Sequence, residues 1–219
     1  MLDRYLRPLI DPPLNRAGAA LAGCGVGANM LTGLGALLAL AAGASLALSA
    51  PLLALGLVLA SRLADGLDGA VARAARTRDS LSDGDDPGGE GPGGEDLGGY
   101  LDILADFVFY ASIPLGFVLA DPATNGAAGA FLLAAFYVNA ASFLGYAALA
   151  EKRRLRSEVN GRKSFFHATG LLEGTETIMF FVLLCLWPAG FVPLAWGFGA
   201  LCLLTVLLRL VEARDRFGA

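Results

Sequence analysis

Three stretches of this chain carry no charged side chain: Ala17 to Ser61, Pro122 to Ala150 and Thr177 to Leu208. A helix needs about 20 apolar residues to cross the roughly 30 Å hydrocarbon core of a bilayer. The first and third stretches are therefore long enough for two spans each, and the second for one. Pro51 divides the first, and Trp187-Pro188-Ala189-Gly190 divides the third. The pattern predicts helices near 29–49, 51–75, 126–150, 174–187 and 192–210. A sixth covers Gly98 to Ala120, provided that Asp102 and Asp106 are tolerated inside it. Composition agrees: 56% of residues are hydrophobic, 16% are charged and mean hydropathy is +0.61, whereas about a quarter of a soluble domain is charged. The expected fold is all-α, an integral membrane bundle of six transmembrane helices over residues 17–212.

The basic residues give the orientation, because short cytoplasmic loops collect Lys and Arg. With six spans all 16 fall on one side. Arg4, Arg7 and Arg16 lie in the N-terminal arm, and Arg62, Arg73, Arg76 and Arg78 at the end of the second span. Six more lie from Lys152 to Lys163, and Arg209, Arg214 and Arg216 close the chain. The turns near residues 50, 123 and 190 have none. Both termini are thus expected in the cytoplasm, with residues 213–219 as a short tail, in a cytoplasmic or inner membrane. Five or seven spans would scatter the same charges over both faces.

Residues 1–16 lack the uninterrupted apolar core of a signal peptide. Leu2, Tyr5, Leu6, Leu9 and Ile10 fall instead on one helical face flanked by Arg4 and Arg7, as in a helix lying in the membrane interface. A frayed terminus is the other reading. Cys24, Cys185 and Cys202 are odd in number and widely spaced, and suggest neither a disulfide framework nor a zinc site. Residues 79–97 hold seven acidic side chains, six glycines, two prolines and no basic residue, the composition of a solvated, flexible segment. Their spacing does not match a calcium-binding EF-hand loop. The formal net charge of −4 arises in this segment.

Four aspartates stand out because a carboxylate in an apolar span is costly without a partner. Asp65 and Asp68 lie in S-R-L-A-D-G-L-D-G-A-V-A-R, residues 61–73, and Asp102 and Asp106 in G-G-Y-L-D-I-L-A-D-F, residues 98–107. Spacings of three and four put each pair on one helical face. Counted from the outer turns at Pro51 and Asp121, Asp65 and Asp106 are both roughly 21–22 Å deep at 1.5 Å per residue. Asp68 and Asp102 lie about one turn closer to the cytoplasm. Two antiparallel helices would then bring four carboxylates to one point. Hard divalent cations relieve the repulsion, and an all-oxygen set near phosphates suits Mg²⁺ or Mn²⁺. Two such ions form the clamp used for in-line displacement at phosphorus. Gly66, Gly69 and Ala72 beside the first pair, and Gly98 before the second, permit close approach of helices and ligand. Ordinary small-residue packing explains the glycines equally well, but not the aspartates.

At these residues the chain resembles the CDP-alcohol phosphatidyltransferase family, whose signature is D-x2-D-G-x2-A-R, about eight residues, then G-x3-D-x3-D. Asp65, Asp68, Gly69, Ala72, Arg73, Gly98, Asp102 and Asp106 match every fixed position. Between Arg73 and Gly98 lie 24 residues, so the acidic 79–97 segment has the character of an insertion. Ala28-Asn29-Met30-Leu31-Thr32 is similar to the Asn-x-Leu-Thr stretch that opens the first span of that family. The resemblance implies that Asp65, Asp68, Asp102 and Asp106 bind a two-ion Mg²⁺ or Mn²⁺ site. It also implies that Asp106 is the catalytic base, and that Gly69, Ala72, Arg73, Gly98, Asn29 and Thr32 bind the nucleotide. The implied reaction transfers a phosphatidyl group from a CDP-linked lipid, CDP-diacylglycerol foremost, to a small hydroxylated acceptor, with release of CMP. A homodimer surrounded by membrane lipids is implied as well, and no nucleic-acid partner.

The acceptor site is less defined by sequence. Lys152, Arg153 and their basic neighbours suit a phosphorylated alcohol, yet positive-inside topology alone produces the same cluster. Arg209 is a single candidate within apolar surroundings, with snorkelling to headgroups as the other reading. Glu173 and Glu176 would accept hydrogen bonds from a polyol, or complement the dipole of a first helical turn. His167, the single histidine, reads as an interfacial residue, and Asn139, Ser142 and Tyr146 as interhelical hydrogen-bonding groups. The alternative function is a carboxylate-based divalent cation carrier or channel. It is disfavoured because no chain of ionisable groups continues toward the outer face.

Overall fold

The computed structural model describes residues 3–82, 93–152 and 174–217, and of their side chains those of 10–77, 97–152 and 174–217. Most of the acidic segment, together with Arg153, His167 and Glu173, lies outside the described residues. Among the described residues seven α-helices follow in order: α1 (Asp3–Gly23), α2 (Ala28–Ala47), α3 (Pro51–Ser82), α4 (Gly93–Ala120), α5 (Pro122–Lys152), α6 (Gly174–Leu186) and α7 (Phe191–Phe217). A short 3₁₀ turn, Pro188–Gly190, joins α6 to α7.

The helices break where local chemistry ends them. Gly25 takes φ of +80° between α1 and α2, a conformation open to a residue without Cβ. Pro51 opens α3 at a position where its missing N–H costs nothing. Asp121 precedes Pro122 and accepts the Thr124 backbone N–H at 3.1 Å, capping α5. Hydrogen bonds from the Thr124 side chain and backbone hold the Asp121 carboxyl below its usual range.

Among the described residues, four stretches are long and apolar enough to cross a membrane: Ala28–Ala47, Leu97–Ala120, Pro122–Lys152 and Pro188–Phe217. Six spans were expected and four meet this measure, for two physical reasons. α3 is long enough at 32 residues, but Arg62, Asp65, Asp68 and Arg73 interrupt its apolar character. α6 is apolar but has only 13 residues, short of the number needed for a full crossing. Leu37, Leu48, Leu52, Leu59 and Leu207 are more than half exposed, which fits surfaces that face lipid rather than water. The protein is an all-α membrane protein.

The first segment differs from expectation in its limits. α1 runs without interruption past residue 16 to Gly23 and packs along α3. A Cβ at Gly18 would come within 2.6 Å of Ala70 Cβ, and one at Gly66 within 3.1 Å of Leu14 Cδ1. Gly66 therefore serves helix packing against α1. α2 packs against both α3 and α4, α5 against α7, and α4 and α3 link these groups through α5 and α6 respectively. The interior is aromatic and apolar. Phe109 meets Phe181 edge-on at 5.3 Å, and Phe117 stacks on Phe191 at 4.5 Å. Ile113, Leu132, Leu184 and Val58 fill the space between these elements with no exposed surface.

The α2–α4 contact depends on absent side chains. A Cβ at Gly43 would lie 2.5 Å from the Ser112 carbonyl oxygen. Gly43→Ala is accordingly expected to destabilise the fold by about 1–3 kcal/mol, the usual cost of overpacking. Gly126→Ala, where nothing lies within 4 Å, is expected to leave it unchanged. Thermal unfolding of the detergent-solubilised proteins, followed by tryptophan fluorescence, measures both.

Candidate metal centre

α3 and α4 bring Asp65, Asp68 and Asp102 together, with one carboxylate oxygen from each within 4.8 Å of the others. The i,i+3 spacing puts Asp65 and Asp68 on one face of α3. The two pairs are not brought together by close packing of α3 on α4. α2 is the helix that packs extensively on both, and its first turns supply the polar support. Thr32 donates to Asp68 Oδ2 at 2.7 Å in a buried hydrogen bond, and Asp68 is buried. Ser61, next to the motif on α3, donates to the Gly35 carbonyl of α2 at 2.8 Å and fixes the two helices in register.

The donor set fits a hard divalent cation. Oxygens sharing one Mg²⁺ or Ca²⁺ lie at most roughly 4–5 Å apart, twice the metal–oxygen distance, which the 4.8 Å span of the three aspartates approaches. The graded burial also suits an entry path, since Asp68 is buried, Asp65 partly so and Asp102 exposed.

Asp106 stands differently from expectation. It is not among these three, and its Oδ1 accepts Arg62 Nη1 at 2.8 Å. The same Nη1 lies 3.5 Å from Asp65 Oδ1. The Arg62 guanidinium carbon sits 3.8 Å from the centroid of the Phe109 ring, a cation–π contact. Arg62 thus bridges both aspartate pairs from a side chain only 11% exposed. By its position in the sequence Arg62 reads only as one of the cytoplasmic basic residues. The signal was present: Arg62 precedes Asp65 by three residues, so the helical arithmetic that joins the aspartates includes it too.

The expected nucleotide residues are partly assembled. A Cβ at Gly98 would come 3.5 Å from Asn29 Oδ1, and one at Gly69 3.2 Å from Arg73 Nη1. Asn29 and Thr32 share the first turns of α2. Arg73 Nη2 also donates to Asn15 Oδ1 of α1 at 2.9 Å, so the N-terminal helix holds an arginine of the motif. Ala72 is half-buried on the same helix.

The expected acceptor residues are not gathered there by any contact among the described residues. Arg209, buried in α7, donates through Nη1 to both the backbone oxygen and Oδ1 of Asn139, each at 3.2 Å. Asn139 is therefore an interhelical hydrogen-bonding group, as is Tyr146, whose hydroxyl donates to Glu212 Oε1 at 3.1 Å. Lys152 ends α5 in an exposed position, and Glu176 is half-buried in the first turn of α6. Arg153 and Glu173 lie outside the described residues.

These features define an all-α integral membrane protein with an acidic, oxygen-rich centre between two helices. No protein-family model matches the sequence. Over 209 residues the chain is 45% identical to inner membrane protein YnjF of Escherichia coli (strain K12), an alignment covering 95% of this chain and 93% of that protein. The chain belongs to the family of that membrane protein.

Thr32→Val should leave a buried Asp68 oxygen without its donor, at a cost of about 1.5–3 kcal/mol for a hydrogen bond to a charged group. A lower thermal midpoint for Thr32→Val, and a wild-type midpoint for Thr32→Ser, is the expected pair of results.

Proposed function

We propose that the protein is a CDP-alcohol phosphatidyltransferase that moves a phosphatidyl group from a CDP-linked lipid, CDP-diacylglycerol foremost, to the hydroxyl of a small polar acceptor, with release of CMP. The observation that carries this reading is the convergence of Asp65, Asp68 and Asp102 beside Thr32. Three carboxylates brought together in an apolar bundle call for a cation. A bound Mg²⁺ or Mn²⁺ would neutralise the diphosphate of the donor and polarise its phosphorus–oxygen bonds.

The residues of the chain divide the remaining work. Asp65, Asp68 and Asp102 hold the cation, and Thr32 fixes the orientation of Asp68. Gly69 and Gly98 leave room for the nucleotide beside Arg73 and Asn29, whose polar groups reach its phosphates and sugar. Asp106 receives Arg62 on Oδ1, while Oδ2 accepts no hydrogen bond among the described residues. Oδ2 takes the proton of the acceptor hydroxyl as that oxygen attacks the β-phosphorus. The bond from that phosphorus to CMP breaks, and CMP leaves with the electron pair. Orientation of the base is a large part of such catalysis.

In this reading α2 to α7 form the six spans, with α3 crossing in spite of its charges. Both termini are cytoplasmic, and the centre works at the cytoplasmic face of an inner membrane, the location in the name of the Escherichia coli relative. A homodimer is part of the same proposal. Lys152, Arg153, Arg209, Glu173 and Glu176 remain the acceptor candidates. Arg209 must exchange Asn139 for the acceptor if it takes part.

The test is direct. Purified protein incubated with CDP-diacylglycerol, Mn²⁺ and a panel of small alcohols is expected to release CMP and form a new phospholipid, identified by mass. Chelation should stop the reaction, and Asp102→Asn should reduce it by at least about 10²-fold while leaving a folded, membrane-inserted protein. Divalent-cation flux into vesicles without any CMP release would establish the carrier function instead.

A further inference from the structure

We infer that Arg62 occupies the second cation position of the aspartate centre, so that each chain takes up a single divalent ion, held by Asp65, Asp68 and Asp102, and Asp106 is not a metal ligand. This rests on the proposed metal centre and specifies its composition.

Four carboxylates near one point need more than one cation for balance. The structure already contains one. Nη1 of Arg62 lies 2.8 Å from Asp106 Oδ1 and 3.5 Å from Asp65 Oδ1, the bridging position that an ion shared by those two aspartates would take. The guanidinium cannot shed its proton in a protein, so it is a permanent competitor for that place. A divalent ion bound to both Asp65 and Asp106, with metal–oxygen distances of about 2.0–2.6 Å, would stand against this fixed positive charge with little water between them.

The surroundings hold the guanidinium where it is. Phe109 covers it at 3.8 Å, and Phe109 is fully buried in the core. Nη2 lies 3.4 Å from Ser61 Oγ, which is tied to the Gly35 carbonyl. Nε is buried and has no hydrogen-bond partner, so the head group is anchored by its two terminal nitrogens and the ring rather than by a full set of bonds. The remaining three aspartates keep their oxygens within 4.8 Å of one another, a set for one ion. The division also frees Asp106: a carboxylate that does not ligate metal keeps Oδ2 for the acceptor proton, while Arg62 positions it through Oδ1. Arg62 is thus a positioning residue.

The experiment counts ions. Full-length protein in detergent is titrated with Mn²⁺ alone by isothermal calorimetry, and bound Mn²⁺ is counted after equilibrium dialysis. Wild type is expected to hold about one ion per chain, and Arg62→Gln about two, because removal of the guanidinium opens the Asp65–Asp106 position to a second ion. Arg62→Lys, which keeps a positive charge there, is expected to stay at about one. Two ions on wild type, or one on Arg62→Gln that runs as a monodisperse folded protein, overturns the assignment. The wild-type count decides the matter even if Arg62→Gln does not fold. A wild type that binds no Mn²⁺ removes the metal centre itself and the assignment with it, whereas a count of two removes the assignment alone.

Discussion

An ionised side chain persists inside an apolar helix bundle only when an opposite charge or a hydrogen-bond donor reaches it, and this condition organises the centre of the protein. Asp68 is reached by Thr32, and Asp65 and Asp106 are reached by Arg62. Each of these contacts crosses from one helix to another or ties two turns of one helix together. The polar groups that would otherwise oppose burial therefore fix the relative heights of α2, α3 and α4. The apolar interior adds attraction without direction. Registry comes from the polar contacts and from positions where side chains are missing.

Those missing side chains matter most on α2. Gly43 faces the Ser112 backbone of α4, and Gly35 faces the Ser61 backbone of α3. Small residues let backbones approach closely where lipid offers no hydrophobic advantage to association. α2 thus becomes the wedge on which α3 and α4 are both mounted, and its N-terminal turns carry Asn29 and Thr32 to the edge of the carboxylate group. The two aspartate pairs meet through Arg62 across helices that do not themselves pack closely. α1 extends this arrangement outward by packing Leu14 and Gly18 on α3 and by holding Arg73 through Asn15.

Much of the architecture was legible in the chain because uncharged length is so strongly constrained by the bilayer. Helices expected at 29–49, 126–150 and 192–210 appear as Ala28–Ala47, Pro122–Lys152 and Phe191–Phe217, with Pro51 and Pro188 at the breaks. Charged helices were harder. α3 continues to Ser82 and α1 to Gly23, since helix propagation does not stop where apolar character stops. Gly66 is open in sequence to approach by either a helix or a ligand, and the structure shows a helix, α1: small residues look alike in sequence whichever approaches them. Arg209 has two readings in sequence, acceptor binding and snorkelling to headgroups, and only the structure shows that its hydrogen bonds go to Asn139 of α5.

The sequence by itself determined that the chain is helical and membrane-embedded and pointed to one cluster of Asp65, Asp68, Asp102 and Asp106, of which the structure groups the first three and ties Asp106 to Arg62. Periodicity and the cost of bare charge in an apolar span are local properties, readable residue by residue. Tertiary structure alone decided the partners: Thr32 for Asp68, Arg62 for Asp106, Asn15 for Arg73. These pairs lie 36, 44 and 58 residues apart, and nothing in the spacing of one helix specifies which side chain of another will meet it. That choice is made by the packing of α1 and α2 on α3 and of α2 on α4, where backbone approach at the small residues sets which atoms come within hydrogen-bonding reach.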